Sequence, residues 1–430
     1  MILSKETKMD KTELHPLAMP TSLDLFARPP IDVALESGED IQYLPLTALD
    51  APDKADTAPS PIEFVVPGQG SSYQDLASIH IRIKATVHSK TANVDKKCTL
   101  ISLAPHALFK QIDLFLNGVL VSYSSSNYPY RAMIETLLGH TANVKKDYLS
   151  MAIWEEREGK HNENLDMVFH PNLDMMHQSR YLLPGVEIKL RLIPHLNTFP
   201  IKAGGDTDDD IFYLRLNSVN MLIKKVIPAS TVLNAHMQTL HKTKAIYPIR
   251  RVFVKSHTVA QKTDQASLPN LILGQLPIRV IVGMVTSAAY SGTRASLNPF
   301  NFKHFNLDSI ALQINGTSHP VPEYRPDFST RQYSRSYLGL LQTVLGDSIA
   351  DRSIGLSLTE WGKHPLWGWD LTPDCSANAS HVHLMKRGDL GLQLHFSTAL
   401  DEPIVILLYA EFENSIEIDS NRNIHLNFGN

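Results

Sequence analysis

His381 and His383 stand one residue apart, a spacing that on a β-strand puts both imidazoles on one face and lets them share a metal ion. A cupin-type site wants a Glu a few residues further on, but Leu384-Met-Lys-Arg-Gly388 follows. Satisfied or surface histidines are therefore the expectation, and a cupin-like metalloenzyme rests on these two residues alone. Asp206, Asp208, Asp209 and Asp210 follow Gly204-Gly205 and offer the oxygen ligands that calcium prefers, yet their spacing fits no ordered calcium loop. They read as a solvated charge run that keeps a strand-end loop exposed. Trp361, Trp367 and Trp369 are three of the four tryptophans and, if exposed together, would make a stacking platform for a sugar. Packing in a core or a subunit interface is the commoner use of Trp.

Phosphate and hydrolase chemistry lack their local marks. Gly159-Lys160 and Gly362-Lys363 have neither the upstream Gly nor the following Ser or Thr of a phosphate loop, and Pro67-Gly-Gln-Gly70 is a turn. No Gly-x-Ser-x-Gly elbow and no His-Glu-x-x-His helix occurs. An enzyme is not expected, and no catalytic, cofactor-binding or metal residue is assigned. The two cysteines, Cys98 and Cys375, are too few and too far apart for a disulfide framework or a zinc knuckle; both are expected as buried small apolar groups in a reducing compartment.

The chain that must position these residues has 430 of them, 43% hydrophobic and 20% charged, the composition of an ordinary soluble globular protein. Its length predicts two or three domains or one large β assembly. Forty Lys plus Arg against 44 Asp plus Glu leave a formal charge of -4, so strong nucleic-acid binding by counterion release is not expected. No membrane-spanning segment is expected either, because Leu276 to Val285 and Pro403 to Ala410 fall far short of the ~20 residues a spanning helix needs, and the first carries Arg279. They read as buried strands. Met1 to Lys11 has lysines with no apolar segment after it, so secretion is not expected, and Asn315-Gly-Thr and Asn378-Ala-Ser are expected to be unglycosylated.

Residues 1–61 hold eight of the 26 prolines, and Pro removes a backbone donor, so this stretch reads as an extended N-terminal arm. Its apolar patches, Leu23-Asp-Leu-Phe26 and Ile41-Gln-Tyr-Leu44, predict that it lies along a folded surface. Beyond it, Ile79 to Val87, Glu187 to Leu192 and Phe212 to Leu216 alternate with period two and predict half-buried strands. Tyr130 to Leu138 and Arg331 to Leu345 are the best helix candidates. A weak internal repeat organises the rest: Ile81-Arg82-Ile83 recurs as Ile278-Arg279-Val280, Asn117-Gly118 as Asn315-Gly316, Pro129 as Pro326, Leu173-Asp174 as Leu371-Thr372, and Gly185 as Gly388, in one order and at offsets of 197 to 203. This predicts an all-β chain of two tandem antiparallel domains, 62–245 and 246–430, each the size of a sandwich with embellished loops.

Leu23-Asp-Leu-Phe-Ala-Arg-Pro-Pro30, Pro61-Ile-Glu-Phe64, Tyr73-Gln-Asp-Leu76, Leu116-Asn-Gly118 with Asn127-Tyr-Pro-Tyr-Arg-Ala132 and Ile134-Glu-Thr-Leu-Leu138, and Arg180 to Leu192 form an ordered set. That set resembles the hexon-like major capsid proteins of Polinton (Maverick) elements and adintoviruses. Asn298-Pro-Phe-Asn-Phe302, Tyr324-Arg-Pro-Asp-Phe328 and Trp369-Asp-Leu-Thr-Pro373 continue it more loosely, so the similarity covers residues 22–415. Pro184 stands where the family often has Asn, a departure at the level of one turn. The resemblance implies a double jelly roll, two eight-stranded sandwiches in tandem. It also implies a homotrimer forming a pseudo-hexagonal capsomer, contacts with neighbouring capsomers and a penton protein, and residence in an icosahedral virion capsid assembled inside the host cell. The alternative from another class is a two-domain jelly-roll protein that binds or processes glycans, with the tryptophans and loop carboxylates as its sugar site.

Overall fold

The computed structural model of the chain describes residues 32–49, 59–90, 97–203, 211–292, 294, 296–346, 349, 352–379 and 381–429. The first half contributes β1 (Leu35–Tyr43), β2 (Ile62–Val66), β3 (Tyr73–Ser89), β4 (Lys97–Leu100), β5 (Phe109–Leu116), β6 (Val119–Leu120), β7 (Arg157–Lys160), β8 (Asn164–Phe169), β9 (Ile188–Pro194), β10 (Ile201–Ala203) and β11 (Phe212–Pro228). The second contributes β12 (Ala245–Val259), β13 (Gln265–Gln275), β14 (Arg279–Thr286), β15 (Leu307–Ile314), β16 (Thr317–Tyr324), β17 (Trp367–Asp370), β18 (Arg387–Phe396), β19 (Ile404–Ile418) and β20 (Ile424–Asn427).

Two antiparallel sheets in each half carry the fold. In the first they run β1-β11-β3-β8 and β2-β9-β5-β6; in the second, β12-β19-β14-β17 and β13-β18-β15-β16. Set aside β4, β7 and β10, which form a small sheet of their own, and β20, which extends β19, and each half has eight strands among the described residues. Numbered along the chain, both halves then show the same two orders, 1-8-3-6 and 2-7-4-5. Asn117-Gly118 joins strand 4 to strand 5 in the first lobe and Asn315-Gly316 does so in the second, with positive φ at all four residues. That conformation is the one a two-residue hairpin turn demands and Asn-Gly supplies.

Alternation sets the faces. Ile79, Ile81, Ile83, Ala85 and Val87 of β3 point into the first core, while His80, Arg82 and His88 point out and stay partly exposed. Its counterpart β14 is buried on both faces from Arg279 to Thr286, because the outer face of its sheet is covered by the first lobe. The helix Tyr128–Gly139 does much of this covering: Tyr130, Ile134 and Leu138 belong to the second lobe's core, as do Ile101 and Phe199, while Tyr247, Ile249, Ile416 and Ile418 of the second lobe belong to the first core. This helix and Ser334–Leu345 correspond to the two helix candidates of the sequence. Ser230–Leu240, between the lobes, is a helix the sequence reading missed, although Leu233, Met237 and Leu240 recur at helical spacing; of its residues only Leu240 is buried.

The stretch read as an arm contains β1. No proline lies between Pro30 and Pro45, so residues 35–43 keep every backbone donor, and they pair antiparallel with β11 as the first strand of the first lobe. Leu23 to Phe26 lie outside the described residues. Among the described residues no helix is long and apolar enough to cross a membrane.

Candidate functional site: the seam between the two lobes

β12 lies at the edge of its sheet. One side bonds β19, and the other would present unpaired backbone groups to solvent. First-lobe side chains cap them instead. Arg180 Nη1 donates to the Ile246 carbonyl (2.5 Å), Gln178 Nε2 to that of Pro248 (2.6 Å) and Asn127 Nδ2 to that of Val254 (3.0 Å), while the Val252 N–H donates to Asp174 Oδ1 (3.1 Å). All four positions are even-numbered, the set that a pleated strand turns to one side. Pro248 is tolerable at such an edge, where a missing donor breaks no ladder. Asn127 immediately precedes the helix Tyr128–Gly139 and spends no side-chain bond on capping it, which frees its amide to cross the seam.

Charge is concentrated behind this edge. Arg131 bonds Glu135 through Nε (2.9 Å) and Asp174 through Nη2 (2.7 Å). From the second lobe, Arg279 Nη1 bonds Glu411 (3.1 Å), Nη2 bonds Asn378, and the Tyr409 hydroxyl donates to Glu411 Oε1 (2.8 Å) while standing 3.3 Å from Glu135 Oε1. Two guanidinium groups thus face three carboxyls. Burial works against charge on Glu135, but Arg131, His177 and Asn172 outweigh it and hold that carboxyl at about 2. Burial is the larger influence on Asp174 and raises it, against the pull of Arg131. Asp174 Oδ2 has no hydrogen-bond partner among the described residues. A buried network of this kind adds little net stability over apolar packing; breaking one member is what costs, so it selects a single placement of one lobe on the other. Beside it a cleft of about 1160 Å³ opens, bordered by Arg250, Arg352, His381 and Glu413 among others.

No family model matches the sequence. Among curated proteins, an uncharacterized protein of Caenorhabditis elegans is 24% identical over 392 residues, covering 85% of this chain and 93% of the relative. Among solved structures, that of the Sputnik virophage aligns with a TM-score of 0.64 at 10% identity, over 96% of this chain and 92% of the other. The PBCV-1 virus capsid aligns at 0.61 and 11%, over 94% and 100%, and the mavirus major capsid protein at 0.53 and 11%, over 99% and 97%. The chain is a double jelly roll. At these identities the structural likeness shows the fold, and it agrees with the strand orders.

The double jelly roll uses the sequence candidates differently from their chemical reading. His381 and His383 lie in an irregular segment before β18, not on a strand; their ring centroids are 4.6 Å apart, and His383 Nδ1 is 3.1 Å from Glu413 while its Nε2 faces Ser376 Oγ (2.9 Å). Among the described residues no three His, Cys, Asp or Glu side chains gather as a metal site. Asp206, Asp208, Asp209 and Asp210 fall outside the described residues. Trp361, Trp367 and Trp369 are buried, and Trp361 packs among Phe328, Tyr333, Tyr337 and Trp367, so the three offer a sugar no open face. Cys98 is buried, which pushes its thiol up to about 12, but Cys375 is exposed, contrary to expectation, on a loop with positive φ. The seam residues escaped sequence reading as a set, since 280 positions separate Arg131 from Glu411. Their one local signal is charge inside apolar runs: Arg279 within Leu276 to Val285, Glu411 just after Ile404 to Ala410, and Arg131 with Glu135 one turn apart in an apolar helix.

Proposed function

We propose that this chain is a major capsid protein, that three copies form a pseudo-hexagonal capsomer, and that these capsomers tile an icosahedral shell of the Polinton and adintovirus kind, with a penton protein at the vertices. The observation that carries this reading is the exact repetition of sheet order in two lobes locked by one polar seam. A rigid two-lobed chain taken three times presents 3 × 2 = 6 similar lobes, which suits a hexagonal lattice while keeping closed threefold symmetry. Support comes from the alignment along nearly the whole chain with capsid structures of a large DNA virus and of virophages, and from a relative in an animal, which is where a capsid gene carried by an integrated element would be found. The function is then shape and assembly and calls for no catalytic group. We take the lobes to divide near 245/246, where β12 begins, with the first lobe starting at β1.

Light scattering on purified protein tests this. A particle of about 144 kDa, three times the chain's 48.1 kDa, is expected, with six-lobed outlines or shells in negative stain. A stable single chain under assembly conditions would overturn it.

A further inference from the structure

The seam inside the chain uses a defined half of each lobe. The first lobe contributes the side around its sixth strand: the helix Tyr128–Gly139 before β8 and the segment after it as far as Leu183. The second contributes the free edge of β12 and the outer face of β12-β19-β14-β17. Because the lobes repeat, each also owns the half the other one uses, and among the described residues those two halves are uncovered.

In the second lobe, the helix Ser334–Leu345 precedes β17 as Tyr128–Gly139 precedes β8, and both have 12 residues. The first is buried along nearly its whole length; the second exposes Ser334, Arg335, Leu338 and Gln342, a single helical face. After β17, counting back from Glu187 and Asp389, the residues that Asn117 and Asn315 bond, puts Leu384 and Met385 where Leu182 and Leu183 stand. Leu182 is fully buried and the Leu183 N–H donates to the Tyr247 hydroxyl across the seam (3.1 Å), whereas Leu384 is 90% and Met385 44% exposed. In the first lobe, β1 bonds only β11 among the described residues and is exposed along most of its length, and the outer side of β3 stays partly open where that of β14 is covered.

We propose that these two uncovered halves meet between chains, so that the helix Ser334–Leu345 and the segment Val382 to Met385 of one copy cover the β1 edge and the outer face of β1-β11-β3-β8 of a second copy. The inference rests on the capsomer reading and gives it its contact. The partner is a second copy because the covering elements are the repeat of those already seated on β12, the strand that β1 repeats. Such a contact is head-to-tail, closing as a ring or running on as a filament, and it removes the open strand edge that would otherwise invite promiscuous pairing.

Leu338→Glu combined with Leu384→Glu puts two charges into the proposed contact and leaves the core alone, since both side chains are exposed in the single chain. The double variant is expected to fall from the three-chain mass to 48.1 kDa with unchanged circular dichroism. Leu273→Glu, at a residue 68% exposed but on β13 of the other sheet, is expected to keep the three-chain mass. Backbone amides of Leu35–Tyr43 should exchange hydrogen on the order of tenfold faster in the double variant than in the assembled protein. Should the double variant misfold, Leu384→Glu alone decides. A variant that keeps the three-chain mass, or Leu273→Glu that loses it, overturns this contact and leaves the capsomer reading in place; a single-chain mass for the unmodified protein overturns both.

Discussion

Asn117 and Asn315 make the same pair of bonds in the two lobes. Asn117 donates its N–H to the Glu187 carbonyl (3.0 Å) and accepts the Glu187 N–H on Oδ1 (2.7 Å); Asn315 does both with Asp389 (3.1 and 3.0 Å). Each side chain thus clips the turn between strands 4 and 5 to the start of strand 7. Two turns 198 positions apart share a backbone conformation, a connection and a hydrogen-bond partner, as one duplicated unit would give.

Asn117→Ala and Asn315→Ala should each cost about 1–2 kcal/mol, from the lost bond to a backbone N–H and from a Cβ residue without Asn's tolerance of the left-handed region. Urea midpoints at unchanged slope check this, and the two effects should add, because the turns lie in separate lobes. A neutral result at both sites would mean that Gly118 and Gly316 alone set the turn.

The repeat and the strands were legible because both are local: period-two alternation in Ile79 to Val87 and an Asn-Gly turn signal need no knowledge of the partner strand. β1 was hidden by its neighbours, since prolines at 29, 30 and 45 frame a proline-free stretch whose exposed residues show no alternation. The seam was illegible for a different reason. Asp174 reads as a turn residue until β12 is laid beside it, and Tyr409 reads as one more apolar position of a buried strand until Glu135 arrives from the other lobe. Nothing in the spacing of His381 and His383 distinguishes a metal pair from a histidine held by Glu413; only the tertiary contact does.

Arg131→Met should leave Glu135 and Asp174 buried without their counter-ion and cost about 3–5 kcal/mol. Arg131→Lys keeps a charge but loses the fork that reaches both carboxyls, so it should recover only part of this. Thermal unfolding of the three proteins gives the order. An unchanged melting temperature in Arg131→Met would mean that water reaches the seam freely and that the network does not hold the lobes.

Acid should loosen the protein in two steps. Burial lowers His106 to about 3, helped by neighbouring His170; burial likewise lowers His170 to about 4 and His195 to about 4. The folded chain therefore holds these rings neutral where the unfolded chain, with an ordinary value of 6.5, takes up protons, so their stabilisation is complete above 6.5 and is lost as pH falls toward 4 for His170 and His195 and toward 3 for His106. Glu135, held at about 2 from an ordinary 4.5, adds a loss as pH falls from 4.5 toward 2. Melting temperature measured from pH 7 to 4 should drop, and His170→Gln with His195→Gln should flatten that slope. An equal slope in the variant would place the titrating groups elsewhere.

Two helical glycines should respond to the same substitution with opposite signs. Gly139, the last residue of its helix, is exposed, and a Cβ there meets nothing within 4 Å, so Gly139→Ala should stabilise by up to about 1 kcal/mol through the lost freedom of glycine. Gly339 sits mid-helix in Ser334–Leu345, where a Cβ would come 2.6 Å from Tyr324 Cζ. That ring is boxed in: Trp369 lies 5.7 Å from it, Arg335 covers it at 5.8 Å, and the residue is buried. Unable to swing aside, Tyr324 must push the helix away, so Gly339→Ala should destabilise by about 1–3 kcal/mol despite alanine's better helix propensity. Because this helix carries Leu338, the displacement should also weaken the contact proposed between chains, read as a lower fraction of three-chain particles at the same concentration. If both substitutions raise the melting temperature, the helix packs on its lobe more loosely than Tyr324 and Gly339 imply.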